Sequence, residues 1–127
     1  MNANIELQKA LYSALSENYE VYEVIPSDSS FPFILIDSLS KFENFTKDDQ
    51  QRFTFSVMVH GFSKGTSSIE SKILEDYIYE KTKHLELETF KVDLVDLTLS
   101  QNLKEDEEEG SIVFHSIQQF EITLSSN

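Results

Sequence analysis

The sequence predicts one α/β domain of the α+β type, spanning residues 1–127, with an antiparallel sheet of four to five strands and two helices packed on one face. Three observations lead to this fold class. A chain of 127 residues suits a single hydrophobic core. Helical and strand-like apolar periodicities follow one another in the order α-β-β-β-α-β-β. Successive strand patterns are joined by polar segments, which favours antiparallel pairing.

The first half of the chain begins with a helix over residues 4–17, because Leu7, Leu11, Ala14 and Leu15 recur there at helical spacing. Asn2 or Asn4 can cap this helix. A strand over 21–25 (VYEVI) ends at Pro26, and a nearly continuous apolar run over 33–39 (FILIDSL) predicts the next strand.

A polar stretch over residues 40–51 (SKFENFTKDDQQ) is predicted to be a long hairpin connection, with Phe42 and Phe45 as isolated aromatic residues. Loops of this length in compact domains are usually functional or mobile. The simpler alternative is an exposed hairpin tip with both Phe side chains tucked back. The alternation of Phe53, Phe55, Val57 and Val59 with Thr54, Ser56, Met58 and His60 then predicts a half-buried strand.

The second half begins with a helix over residues 67–83, for which Ser67 and Glu70 fit a capping box. Its predicted apolar stripe consists of Ile69, Ile73, Leu74, Tyr77 and Ile78. The strand over 90–99 changes its apolar phase near Leu94–Val95, which indicates either a bulge there or a strand covered on both faces. An acidic turn over 102–110 and a final strand over 112–124 complete the chain.

The segment HGFSKGTSS, residues 60–68, raises the question of a phosphate-binding loop. Such a loop needs its lysine after the second glycine and directly before Ser or Thr. Here Lys64 precedes Gly65, and the loop is one residue short. We therefore interpret the segment as a turn in which Gly61 and Gly65 supply unusual dihedral angles before the second helix.

Tests for catalytic and metal-binding patterns all give negative results, so we expect no catalytic residue, no metal and no cofactor. His60, His84 and His115 lie on three separate elements without paired ligand spacing. Asp37, Asp93 and Asp96 lie in predicted strands, and no pattern pairs them as acid and base. The chain has no Cys and no nucleophile elbow. The run EDEEE, residues 105–109, lacks the ligand spacing of a calcium loop.

The net charge of −13 restricts the kinds of molecule that the chain is expected to bind. An acidic surface repels phosphate groups, which argues against binding to the phosphate backbone of DNA or RNA. It argues against binding to an anionic membrane surface for the same reason. The N-terminal residues MNANIELQK lack the basic and apolar regions of a signal peptide, so a cytoplasmic location is expected.

The order and spacing of these segments resemble the small tail-completion, or tail-terminator, proteins of long-tailed bacteriophages and prophages, which are also described as head–tail joining proteins. The resemblance covers roughly Leu7 to Leu124. It is carried mainly by the segment from Pro26 to Phe33, which contains Phe31-Pro32-Phe33, and by the turn from His60 to Thr66. Many relatives have a Trp-Ser-like pair at that turn, where this chain has Phe62-Ser63.

This resemblance implies a structural protein that forms a ring, usually hexameric, at the head-proximal end of the tail tube. The ring would contact further copies of itself, the tail-tube protein and the head connector protein. DNA would pass through the centre without specific binding. The protein would be found in the host cytoplasm during assembly and then in the tail or neck of the virion. No catalytic residue is carried over from the family.

Two hypotheses about interaction sites follow. Phe42 and Phe45 would anchor a contact between subunits or with the tube, and normal assembly of a double alanine variant would contradict this. Glu105, Asp106, Glu107, Glu108 and Glu109 would face the channel or a basic neighbour, and unaltered infectivity after charge reversal would contradict that. The alternative functions are an acidic cytosolic adaptor or chaperone-like module that recognises a basic protein, and an enzyme whose site carries no sequence motif.

Overall fold

A computed structural model gives the structure of the chain, which is described for residues 2–45, 51–106 and 111–126. The elements, in chain order, are helix α1 (Ala3–Leu15), strands β1 (Glu20–Tyr22), β2 (Phe33–Phe45) and β3 (Gln51–Gly65), helix α2 (Ile69–Lys83), and strands β4 (Phe90–Asp106) and β5 (Ile112–Ser126). The fold is mixed α+β with a mostly antiparallel sheet and two helices, as the sequence predicts.

The strands form one five-stranded sheet in the order β1-β2-β3-β5-β4. Antiparallel pairing joins β2 to β3, β3 to β5 and β5 to β4. The short strand β1 instead runs parallel to β2, with Val21 opposite Ile34. The expectation of a fully antiparallel sheet is therefore wrong at this edge. The segment 23–32 returns the chain to the end of the sheet from which β1 started, so both strands leave that end in the same direction.

The hydrophobic core lies between the two helices and one face of the sheet, which we call the helix face. Alternate residues of β3, such as Phe55 and Val57, are fully buried there. Their partners on β5, Ile122 and Phe120, are also fully buried. The helices contribute the fully buried side chains Leu7, Leu15, Leu74 and Ile78 and the nearly buried Leu11. The predicted apolar stripe of α1 is thus confirmed.

The helix ends differ in how well the sequence predicts them. Asn2 caps α1, and its side chain accepts a hydrogen bond from Asn4 N at 2.8 Å. Helix α2 starts at Ile69, and Ser68 before it makes no side-chain capping bond. The Ser67 hydroxyl accepts a hydrogen bond from Ile69 N at 3.2 Å, instead of from Glu70 N as the predicted capping box requires. Ile69 and Ile73 are 66% and 56% exposed, which corrects the predicted stripe. The fully buried residues of the predicted stripe are Leu74 and Ile78.

The strands are longer than local polarity predicts. Strand β2 continues through the polar stretch to Phe45, β3 continues through the predicted turn to Gly65, and β4 runs to Asp106 in the predicted acidic turn. In each case a neighbouring strand supplies backbone partners, such as Phe55 for Lys41 and Phe114 for Ser63. Ladder hydrogen bonds between long neighbouring strands outweigh the weak turn signals of polar residues and glycine.

Strand β4 contains two register shifts, between Val92 and Leu94 and between Leu97 and Leu99. These irregularities explain the change of apolar phase in the sequence. They bring Val92, Val95 and Leu97 onto the helix face, where all three pack against the core. Leu94 and Leu99 point to the opposite face, where they are exposed.

Candidate interaction surface

The second face of the sheet, which we call the open face, lies opposite the two helices. On β3 it is formed by the residues that alternate with the buried ones, from Thr54 to Phe62. The exposed large apolar side chains that its strands contribute are Phe42 on β2, 60% exposed, and Leu94, Leu99 and Leu103 on β4, which are 57%, 37% and 43% exposed. Apolar side chains spread along an uncovered sheet face are typical of a surface that meets another protein.

A row of stacked rings crosses one end of the open face. The Phe33 and Phe62 rings are stacked with centroids 4.9 Å apart, and the Phe62 and His115 rings are stacked at 4.2 Å. Phe31 extends the row at 5.4 Å from Phe33. Because these rings come from β2, β3 and β5 and from the segment before β2, they bind the strands together where each contributes one ring.

Two histidines on the open face, His60 of β3 and His115 of β5, connect a carboxylate on β2 with a carboxylate on β4. Asp37 Oδ2 lies 3.1 Å from His60 Nε2, His60 Nδ1 lies 2.7 Å from His115 Nε2, and His115 Nδ1 lies 3.4 Å from Glu105 Oε1. The four residues come from β2, β3, β5 and β4. The imidazole side chains are only 11% and 15% exposed, whereas the carboxylates are about half exposed.

The number of protons determines whether this chain of contacts can hold. Three contacts need three N–H groups, and the two neutral imidazoles together have only two. One added proton supplies the third, although burial of the His115 ring opposes its uptake there. A second added proton would place two N–H groups face to face across the 2.7 Å contact between His60 and His115. The contact therefore persists with at most one positive charge on the pair.

We predict that acidification weakens the fold through His115. Burial, and then the neighbouring His60, lowers the pKa of His115 below its usual value, although Glu105 opposes the shift. The unfolded chain binds this proton more readily, so the stability supplied by neutral His115 is complete above about pH 6.5 and is lost as the pH falls through the folded pKa. The urea midpoint should fall more between pH 7.5 and 5 for the unchanged chain than for His115→Phe.

The His115→Phe variant keeps a ring stacked on Phe62 and removes the titrating imidazole together with its contacts to His60 and Glu105. His84→Gln serves as the control, because the His84 side chain is 77% exposed. Its urea midpoint should follow the pH dependence of the unchanged chain closely. Equal pH dependence in the His115→Phe variant and the unchanged chain would contradict a role for His115.

The two Phe residues that the sequence singles out lie near the end of β2. Phe42 pairs with Thr54 of β3 and projects from the open face. Phe45 is the last residue of β2 and pairs with Gln51, so the backbone places it at the tip end of the β2–β3 hairpin. The Phe42 side chain is 60% exposed. The contacts predicted for Phe42 and Phe45 with another subunit or with the tube remain predictions.

The acidic residues that the sequence singles out lie at the opposite end of the sheet. Glu105 is exposed near the end of β4, and Asp106 is its last residue. Glu107, Glu108 and Glu109 lie outside the described residues. The structure thus separates the two candidate sites instead of bringing them together. The contact with His115 holds the Glu105 side chain on the open face.

Glu6 is a buried carboxylate with a structural explanation. Its Oε1 accepts a hydrogen bond from Thr89 N at 2.7 Å, and its Oε2 accepts one from the Thr89 hydroxyl. These two bonds hold the pKa of Glu6 below its usual value. The carboxylate thereby ties the first turn of α1 to the residue before β4.

In the part of the chain that the structure describes, no cluster of three or more His, Cys, Asp or Glu side chains has the geometry to hold a metal ion. Over the same ranges, neither helix combines the length and the apolar character needed to cross a membrane.

Comparison with known proteins gives a match at the level of the fold. No protein-family model matches the sequence, and a search of curated proteins finds no match. Among the solved structures with a similar fold is a chain from the virion of a native gene transfer agent particle, with a TM-score of 0.60 and 7% sequence identity. The match covers 95% of this chain and 94% of that one. At this identity the likeness shows a shared fold.

Proposed function

We propose that the chain is a structural protein of a phage-type virion that caps the head-proximal end of a tail tube and joins it to the head connector. The observation that carries this proposal is the fold match to a virion chain, which spans nearly the whole of both chains. The resemblance of the sequence to tail-completion proteins supports the same conclusion independently. In this role the chain acts as a ring, a hexamer by analogy with that family, and works by contact instead of catalysis.

The arrangement of the two candidate sites suits a joining protein. The hairpin that carries Phe42 lies at one end of the sheet, and the acidic end of β4 lies at the other. A ring whose strands run roughly along its axis would present these two ends to different neighbours. The exposed Phe42 ring gives the hairpin end an apolar group for a contact with the tube, and the acidic residues at the other end suit a basic partner.

The charge of the chain suits a channel for DNA. Each copy carries a formal charge of −13, so a ring of copies has a strongly negative field. DNA binds proteins chiefly by releasing counterions to Lys and Arg side chains. A negative channel lacks that attraction, and DNA would pass through without being held.

The proposal is tested with the tail-tube protein of the same phage or prophage. We expect the purified chain, added to growing tubes, to form a ring-shaped cap on one end and to stop elongation, as seen by negative-stain microscopy. Bare tube ends and unchanged tube lengths at saturating amounts of the chain would overturn the proposal. Buffer and an unrelated acidic protein of similar size serve as controls.

We predict that reversing the charge of the acidic end of β4 blocks head joining or DNA passage. The variant replaces Glu105, Asp106, Glu107, Glu108 and Glu109 with lysine, because a basic or DNA partner would then be repelled or trapped. Infectious particles should fall sharply in a complementation assay. A control with the same change in net charge replaces exposed acids on or after α2, namely Glu70, Asp76, Glu80, Glu86 and Glu88. Equal infectivity of the two variants would argue for a plain solvent-exposed turn.

The high acidity also favours a second candidate, an adaptor that recognises a basic protein partner. This candidate predicts a stable monomer that binds a basic protein and leaves tube ends bare. Capping of tubes by a ring excludes it as the main function.

A further inference from the structure

We infer that copies of this chain join edge to edge, with strand β4 of one copy adding to the uncovered part of strand β2 in the next. This inference rests on the proposed function, because it specifies how the ring closes. It starts from the two outer edges of the sheet. One edge is the outer side of β4, a strand of 17 residues. The other is β1, which has only three residues and pairs with Phe33, Ile34 and Leu35.

Beyond β1, the outer side of β2 has no strand partner in the described residues, from Ile36 to Phe45. Unpaired strand edges present rows of N–H and C=O groups and readily accept another strand. The chain therefore offers two different free edges on opposite sides of one sheet. A ring built head to tail requires two different patches on each subunit.

Strand directions favour this pairing. Strand β2 is antiparallel to β3, β3 to β5, and β5 to β4, so β4 runs opposite to β2. Rotation about the ring axis does not reverse whether a strand runs up or down that axis, even when the strands are tilted from it. In such a ring β4 of one copy meets β2 of the next in antiparallel orientation, which is the slightly more stable arrangement.

Strand β1 fixes where the incoming strand fits. It occupies the position beside Phe33–Leu35, so a neighbour's β4 has room only from Ile36 onwards. With the copies level, the ladders place Leu94 opposite Phe42, because both lie in line with the pair Thr54 and Thr123. The rest of β4 would then collide with β1.

Sliding the neighbour along the strands, until β4 ends beside Ile36, removes this collision. The second half of β4, residues 97–106, then lies along the free part of β2. Copies related by rotation alone cannot slide along the ring axis, so this offset requires strands that are tilted from the axis, as in closed sheets, where the tilt is about 35–45°. Phe42 comes to lie between Leu99 and Leu103 of the neighbour. All three are exposed on the open face of the single chain.

The natural chain has no cysteine, so cross-linking with introduced pairs gives a direct test. The variants are Phe42→Cys combined with Gln101→Cys, which this stagger places directly opposite each other, and Phe42→Cys combined with Leu103→Cys, which tests a slide two residues further from β1. We expect at least one pair to give, after mild oxidation of assembled rings, a ladder of covalent species up to the closed ring. Each single variant should give dimers at most. A disulfide requires Cα atoms within about 7 Å, so the result reports adjacency.

Two control pairs test face and register. Lys104 pairs with Phe114, which is buried on the helix face, so Phe42→Cys with Lys104→Cys should give no ladder. A ladder from Phe42→Cys with Leu94→Cys alone would overturn the staggered placement beside β1. Rings without a ladder from either staggered pair would overturn edge pairing itself, as would a chain that remains monomeric with and without tubes.

The two proposals fail in different ways. If the unchanged chain caps tubes as a ring and neither staggered pair cross-links, edge pairing is wrong and the capping function stands. If rings cross-link as expected but leave tube ends bare, edge pairing stands and the capping function is wrong.

Discussion

Replacing Phe120 with alanine is expected to lower the free energy of unfolding by about 3–5 kcal/mol. Phe120 is fully buried at the centre of β5, where it lies between Val57 of β3 and Leu97 of β4 under the helices. Removal of its ring loses both the transfer free energy of the side chain and the contacts of its neighbours, because a packed core fills such a cavity only partly. Urea unfolding followed by circular dichroism measures the loss.

The matched control is Phe42→Ala, the same substitution on the open face. Phe42 is 60% exposed, so its removal should change the stability of the single chain by no more than about 0.5 kcal/mol. Comparable losses in the two variants would contradict the assignment of the core to the helix face.

Replacing Gly61 with alanine is expected to lower the free energy of unfolding by about 1–3 kcal/mol. A Cβ at this position would lie 2.6 Å from Ser116 Oγ and 2.8 Å from Leu74 Cδ2. Ser116 and Leu74 are both fully buried, so neither can move aside without disturbing α2 or β5. The glycine is therefore required by the close approach of helix and sheet. Thermal or urea unfolding measures the effect.

Gly65→Ala provides the control within the same segment. A Cβ at Gly65 meets no atom within 4 Å. The sequence treats both glycines as parts of one turn, whereas the structure gives them different roles. Destabilisation of the two variants by the same amount would show that helix–sheet contact at Gly61 is not the cause.

The sequence predicts the core well because burial imposes a period on each element. The alternation from Phe53 to Val59 and the phase of Phe120, Ile122 and Leu124 indicate the correct inner faces. Element ends are predicted less well, because the pairing of distant strands decides them. Polar residues such as Lys41 continue a strand when a partner lies beside them.

The contact between His60 and His115 is beyond what the sequence shows. The two residues are 55 positions apart, and α2 and β4 lie between them in the chain. Only the strand order, with β5 inserted between β3 and β4, makes them neighbours. Their places on the polar phase of two strands are the sole signal in the sequence. Asp37 and Glu105 join the same contact for an equally non-local reason.

The placement of the hairpin and the acidic turn at opposite ends of long strands has an evolutionary consequence. Strand β3 alone has 15 residues, and at about 3.4 Å per residue it spans roughly 50 Å. Substitutions at one end are then too distant to disturb packing at the other. Each end is free to diverge with its own neighbour, so a lineage could exchange one binding specificity while retaining the other.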